Sequence, residues 1–148
     1  MENTYVPNKV SKTCDRFVET FLADETDALI HLLADDCVWT IMATGECLIG
    51  TNKIKKLLDQ SVVARKQTKE ARLQFLNKFV GEKQFCLEFI HYAVVLDQWP
   101  KVVSRPDSGT IDEINSCIVC RINKEGMIDR IHEYFDLSEA KVARQLYS

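Results

Sequence analysis

A chain of 148 residues, 46% apolar and 28% charged, has the size and balance of one globular domain, which argues against a disordered chain. The formal net charge is −3 and no block of five like charges occurs, so the electrostatic footprint of a nucleic-acid binder is missing. The start, Met1 to Lys12, is polar, and no window approaches the roughly 18 apolar residues of a membrane span, so neither a signal peptide nor an anchor is expected.

In chain order, Cys14, Phe17, Val18, Phe21 and Leu22 recur at helical spacing, with Ser11 placed to cap the start. Thr26 is placed to cap a second, short helix carrying Leu29, Leu32 and Leu33. A short strand is predicted from Cys37 to Met42, followed by a loop with Gly45 and Gly50. Thr51 then opens a third helix with Ile54, Leu57, Leu58 and Val62 on one side. The basic residues from Lys53 to Lys69 alternate with apolar ones and read as its wet face.

From Leu73 onward the period becomes two. Strands are predicted over Leu73–Val80, Lys83–Asp97, Ile111–Ile122 and Met127–Leu137, with turns at Gly81-Glu82 and Asn123-Lys124-Glu125-Gly126. Trp99 to Thr110 is the longest irregular connection, and a last helix is expected near Ser138. Helices first and long antiparallel strands afterward predict an α+β domain spanning residues 1–148. In it three helices pack on a strongly curved, mostly antiparallel sheet, a cone or α+β barrel around one apolar pocket.

The six cysteines, Cys14, Cys37, Cys47, Cys86, Cys117 and Cys120, are scattered in a chain too large to need disulfide staples. Reduced thiols and a cytoplasmic location are expected. Cys117 and Cys120 have CxxC spacing, but residues three apart on a strand point to opposite faces and cannot converge on a metal.

Face by face, one side of the long strand reads Phe85, Leu87, Phe89, His91. The next strand presents Ile114, Ser116, Ile118, Cys120 and Ile122, and the last Met127, Asp129, Ile131, Glu133 and Phe135. A polar residue in an apolar stripe costs desolvation unless paired. His91 and Glu133 interrupt stripes that face one side of one sheet, so they are candidates for a carboxylate–imidazole pair doing acid–base chemistry. Read one at a time, His91 is a satisfied core histidine and Glu133 lies in water at the sheet edge. The opposite faces carry Cys86, Ile90, Tyr92, Cys117, Val119, Ile128 and Tyr134, an apolar surface expected to pair two copies into a homodimer.

The run from Gly126 to Leu137 (Gly-Met-Ile-Asp-Arg-Ile-His-Glu-Tyr-Phe-Asp-Leu) resembles the final strand of SnoaL-like and limonene-epoxide-hydrolase-like proteins of the nuclear transport factor two-like superfamily. Phe17-Val18-Glu19, Leu32 to Trp39, and Gly50 are similar as well, so the resemblance covers residues 12 to 145. It implies the cone fold. Ketosteroid isomerases of this fold have an oxyanion-binding tyrosine where this chain has Phe17 and a carboxylate base where it has Ile41. Limonene epoxide hydrolase has a tyrosine and an asparagine where Trp39 and Ile41 stand, and an arginine and an aspartate where Phe89 and His91 stand. The carboxylate on the last strand survives as Glu133, which SnoaL-type cyclases also use as a base near this part of the fold.

The lining expected is Phe17, Trp39, Ile41, Phe89, Ile114, Ser116, Ile118 and Phe135, suited to a small, flat apolar ligand; side chains that simply fill the cone are the alternative. Two functions follow. One is a cofactor-free enzyme (isomerase, cyclase or hydrolase) with Glu133 as general base and His91 as its partner or acid. The other is a non-catalytic module that binds a ligand or a protein. A metal centre is not expected, since His31 lies on a helix and His132 faces away from His91.

Overall fold

The computed structural model describes residues 9–66, 71–95 and 110–136. In chain order these hold α1 (Lys9–Leu22), α2 (Thr26–Ile30), β1 (Leu33–Ile41), β2 (Glu46–Ile49), α3 (Thr51–Lys66), β3 (Arg72–Val80), β4 (Gln84–Val95), β5 (Thr110–Ile122) and β6 (Ile128–Phe135). The α+β class and the layer of helices beside one sheet are as expected from the change of period.

Helix α1 buries Val10, Cys14, Phe17 and Phe21, a single stripe at helical spacing. Thr20, on the same buried side, bonds its hydroxyl back to Arg16 O at 2.8 Å, which lets a polar side chain sit in the core. Phe17 packs on Phe85 and Phe21 on Phe89, with ring centroids 5.9 and 5.2 Å apart, so α1 lies against the β4 side of the sheet. Helix α3 buries Ile54 and Leu58. Its far end is fixed to the corner after α1 by Arg65, whose guanidinium bonds Asp24 at 2.5 Å. Asp24 itself takes a positive φ of 57°, which aspartate tolerates better than most residues.

The six strands lie in the order β2-β1-β6-β5-β4-β3. The β1–β6 pair is parallel and the other four are antiparallel. β2 and β3 are therefore edges that do not meet: the sheet curves but is not a closed barrel, contrary to that part of the expectation. Phe85, Leu87, Phe89, Ile118, Cys120, Ile131, Cys37 and Trp39 from four strands form one core with α1, all nearly without accessible surface.

Several local expectations are corrected. Ser11 lies within α1 rather than at its cap. Thr26 is the first residue of α2, whose N-cap Glu25 makes no side-chain capping bond. Leu33 belongs to β1, which starts earlier than predicted because a register shift between Leu33 and Val38 lets its first residue pair separately with Ile128. The loop between Gly45 and Gly50 contains the short edge strand β2, too brief to show alternation. Ile128 is fully buried instead of lying on the outer face, and Asp129 leaves the inner stripe to bond Arg121 at 2.9 Å. A bulge where β5 and β6 pair, between Arg121 and Ile122, shifts the alternation there by one. The expected helix near Ser138 and the connection from Trp99 to residue 109 lie outside the described residues.

Cys117 and Cys120 do point to opposite faces: Cys120 is buried, while the Cys117 thiol is 3.1 Å from that of Cys86 on the outer face.

Candidate functional site

The pairing registers place each inward side chain in a row across the sheet. Trp39, Ile131, Cys120 and Phe85 make one row, and Ile41, Glu133, Ile118 and Leu87 the next. Phe135, Ser116, Phe89 and Phe75 make a third, then Ile114, His91 and Leu73. Of the expected lining, Phe17 and Ile118 have no exposed surface, Phe89 has 1% and Trp39 2%. That part of the cone is filled. Glu133, Phe135 and His91 keep part of their surface, at the other end of the same face.

The two candidate polar residues do not meet. Glu133 pairs with Ile118 on β5 and His91 with Ile114, so they stand two strands and four residues apart. On a flat sheet that is on the order of 16 Å between Cα atoms, from about 4.8 Å per strand and 3.3 Å per residue. The carboxylate–imidazole pair expected from the alternation is therefore absent. Alternation assigns a face, and register assigns neighbours.

Glu133 is instead held by Trp39. The indole Nε1 donates to Glu133 Oε1 at 3.1 Å, and no other described residue bonds this carboxylate. Burial pushes its pKa up from the ordinary carboxylate value, and the Trp39 N–H, which favours the charged form, partly offsets that. Trp39 was expected as an apolar wall; the signal for its polar role was available, since a buried indole N–H needs an acceptor.

His91 has its Nε2 shut off from solvent with no hydrogen-bond partner among the described residues. Its ring packs on Phe21 with centroids 6.5 Å apart. Burial first, and the Arg65 guanidinium second, lower its pKa to about 4, which favours the neutral imidazole at pH 7. Ser116, 6% exposed, likewise has no partner for its Oγ among the described residues.

His132 projects from the other face, with its ring 6.3 Å from that of Tyr134, and His31 follows α2. Among the described residues no three His, Cys, Asp or Glu side chains converge as metal ligands would. Among them, too, no helix is long and apolar enough to cross a membrane.

No protein-family model and no curated protein matches the sequence. Solved structures do match in shape. One is a Mycobacterium tuberculosis protein in complex with estradiol-17beta-hemisuccinate, 16% identical, covering 89% of this chain and 97% of its own, with a TM-score of 0.66. A second is the epoxide hydrolase/cyclase-like enzyme of pyran ring formation in the polyether salinomycin, 14% identical, covering 88% and 93%, with a TM-score of 0.68. A third is an NTF2-like protein of unknown function from Cytophaga hutchinsonii, 16% identical, covering 85% and 98%, with a TM-score of 0.64. At such identities the likeness is one of fold.

Proposed function

We propose that this chain, which has the cone fold of nuclear transport factor two-like proteins, binds a small, largely apolar molecule on the concave face of its sheet, where Glu133 acts as a cofactor-free general base. The observation that carries this reading is the Glu133 carboxylate itself. One oxygen is oriented by the Trp39 N–H, the other has no bond from a described residue, and burial holds the pKa above its usual value. A carboxylate in that state is a stronger proton acceptor than one in water. Ile41 and Ile118 flank it in register, and Phe135 follows on the same strand face. The reaction types in keeping are isomerisation, cyclisation or hydrolysis, in which Glu133 takes a proton from a substrate carbon or from water.

Two neighbours in shape support a ligand of this kind: one holds an estradiol ester, another acts in pyran ring formation. The second reading is a binding module without turnover. It is favoured by Ile41, which stands beside Glu133 where a second polar group could have helped. The six unbridged cysteines fit a reducing compartment, the cytoplasm. The outer sheet face, with Tyr134 and Phe79 exposed on it, fits a homodimer contact.

The test has two arms. Estradiol titrated into the protein should change Trp39 emission to saturation, and a Trp39→Phe variant should lack that change. Deuterium exchange beside the carbonyl of tetralone should be accelerated by the protein and fall about 10²–10⁴-fold in Glu133→Gln. Binding without exchange leaves the module reading; no binding in the first arm removes the ligand reading altogether.

A further inference from the structure

The outer face of the sheet carries two thiols in contact, for which the proposed function has no use. Cys86 on β4 and Cys117 on β5 have their sulfurs 3.1 Å apart, and both side chains are partly buried. The register accounts for the approach. Cys86 pairs with Val119 and Cys117 with Glu88, so the two cysteines are diagonal neighbours on one face. On a flat sheet such a diagonal spans about 7–8 Å between Cα atoms, but right-handed twist shortens one diagonal of each set and lengthens the other. The 3.1 Å contact marks this diagonal as the short one. Bonded sulfurs lie about 2.05 Å apart, so roughly 1 Å of movement separates the pair from a disulfide.

The other cysteines cannot take the place of either partner. Cys14, Cys37 and Cys120 have no exposed surface. Burial pushes their thiols up, to about 11 for Cys14, about 12 for Cys37 and well above the usual value for Cys120, which suppresses the nucleophilic thiolate. Cys47 is exposed, but its row runs through Thr40, His132 and Val119 before it reaches Cys86. Four strand spacings of about 4.8 Å keep it on the order of 19 Å away. Among the described residues no third His, Cys, Asp or Glu joins the pair, as a zinc site would require.

We infer that Cys86 and Cys117 are a reversible oxidation site, closing to a cross-strand disulfide when a low-molecular-weight disulfide reaches the outer face. The Cys117 thiolate attacks one sulfur of the reagent, and one reagent thiolate leaves. The Cys86 thiol then gives its proton to solvent and attacks Cys117 Sγ, expelling the second thiolate. Two hydrogens leave the protein, and the reagent departs as two thiols. Cys117 attacks first because burial, and then Cys117 beside it, push the Cys86 thiol up to about 12 and hold its proton on. Once Cys117 is a mixed disulfide, its share of that rise is gone and Cys86 stands within reach of the second attack. A reducing thiol pool reverses both steps, so the pair rests as two thiols and the bond is a transient mark of oxidant. The bond lies between Phe79, which pairs with Cys86, and Tyr134, which pairs with Cys117. Two copies packed through those rings would cover it.

The probe is bis(2-hydroxyethyl) disulfide, added to the folded protein at a dilution where size-exclusion chromatography gives a single chain. The products are read by intact mass and by tandem sequencing of unreduced tryptic peptides. Cys47, exposed and alone, should keep half of the reagent as a mixed disulfide, which shows that the reagent is active. Cys86 and Cys117 should instead lose two hydrogens with no added mass, and dithiothreitol should restore them. Cys86→Ser should stop at the mixed disulfide on Cys117. Should that variant fail to fold, the wild-type peptides decide alone, through a bond that joins Cys86 to Cys117 and not to Cys120. Cys86 and Cys117 left as free thiols while Cys47 is modified, a separate mixed disulfide on each, or a bond from Cys86 to another cysteine overturns the inference. None of these outcomes touches the reading of Glu133, which stands or falls on its own test.

Discussion

The indole of Trp39 on β1 donates to the carboxylate of Glu133 on β6, 3.1 Å away, across the parallel seam of the sheet. The bond favours the charged carboxylate against a burial that opposes it. Replacing Trp39 by Phe removes the donor and keeps an aromatic ring. The Glu133 pKa should rise further, read from the side-chain carboxyl carbon in an NMR titration. An unchanged titration curve would mean the indole does not set the base.

Glu133→Gln should also change stability in a pH-dependent way. The folded-state pKa of Glu133 is raised, so the folded protein binds this proton more tightly than the unfolded chain. Stability tied to the group is present below the ordinary carboxylate value and lost as pH rises through the raised one. The melting temperature of Glu133→Gln relative to wild type should therefore improve as pH rises from about 4 to 7. A constant offset would show that the carboxyl is not perturbed.

His91 gives the opposite slope. Its pKa is lowered to about 4, so between that value and the ordinary histidine range the unfolded chain takes a proton that the folded one refuses. Stability is lost as pH falls through this window, on the order of 2 kcal/mol after allowing for the part of the ring that stays wet. Of the described groups around the ring, Phe21, Leu73 and Ile114 are apolar, and the Asp24 carboxylate is committed to Arg65. His91→Phe should resist acid better than wild type, in melts run at pH 4.5 and 7. Parallel acid sensitivity in both would sink this account.

Ser116→Ala should stabilise the protein by about 1 kcal/mol, since it deletes a buried hydroxyl that no described residue bonds. Thermal melts give the sign. A lower melting temperature would mean that the hydroxyl already has a bonded partner in solution.

The assembly prediction concerns the outer face, where Phe79 is 55% and Tyr134 43% exposed. Light scattering at micromolar concentration should give a dimer, and Tyr134→Glu together with Phe79→Asp should give a monomer of unchanged circular dichroism. A wild-type monomer would count against the proposed interface.

Much of this architecture was legible in the alternation of apolar residues. The inward stripes of β4 and β5, the burial of Phe17 and Phe21, and the inward placement of His91 and Glu133 all follow from periods of 3.6 and 2. What the pattern could not contain is strand order. Nothing in residues 33–41 says that they will lie beside residues 128–135 and not beside β3; that adjacency joins Glu133 to Trp39, while β5 and its registers separate Glu133 from His91. The bulge where β5 pairs with the start of β6 had the same effect on a smaller scale, exchanging Ile128 and Asp129 between faces. The edge strand β2 escaped because four residues are too few to show a period.

The parallel seam between β1 and β6 also has a kinetic meaning. Trp39 and Glu133 are 94 residues apart in sequence, whereas β3 to β6 pair with their neighbours in the chain. Closing so long a loop costs entropy before any contact repays it, and folds dominated by such contacts assemble slowly. The meander from β3 to β6 can form early and locally; Glu133 and its indole donor come together only when β1 docks on β6. On this order of assembly the seam forms late, and a chain that has not completed its sheet lacks the Trp39 donor beside Glu133.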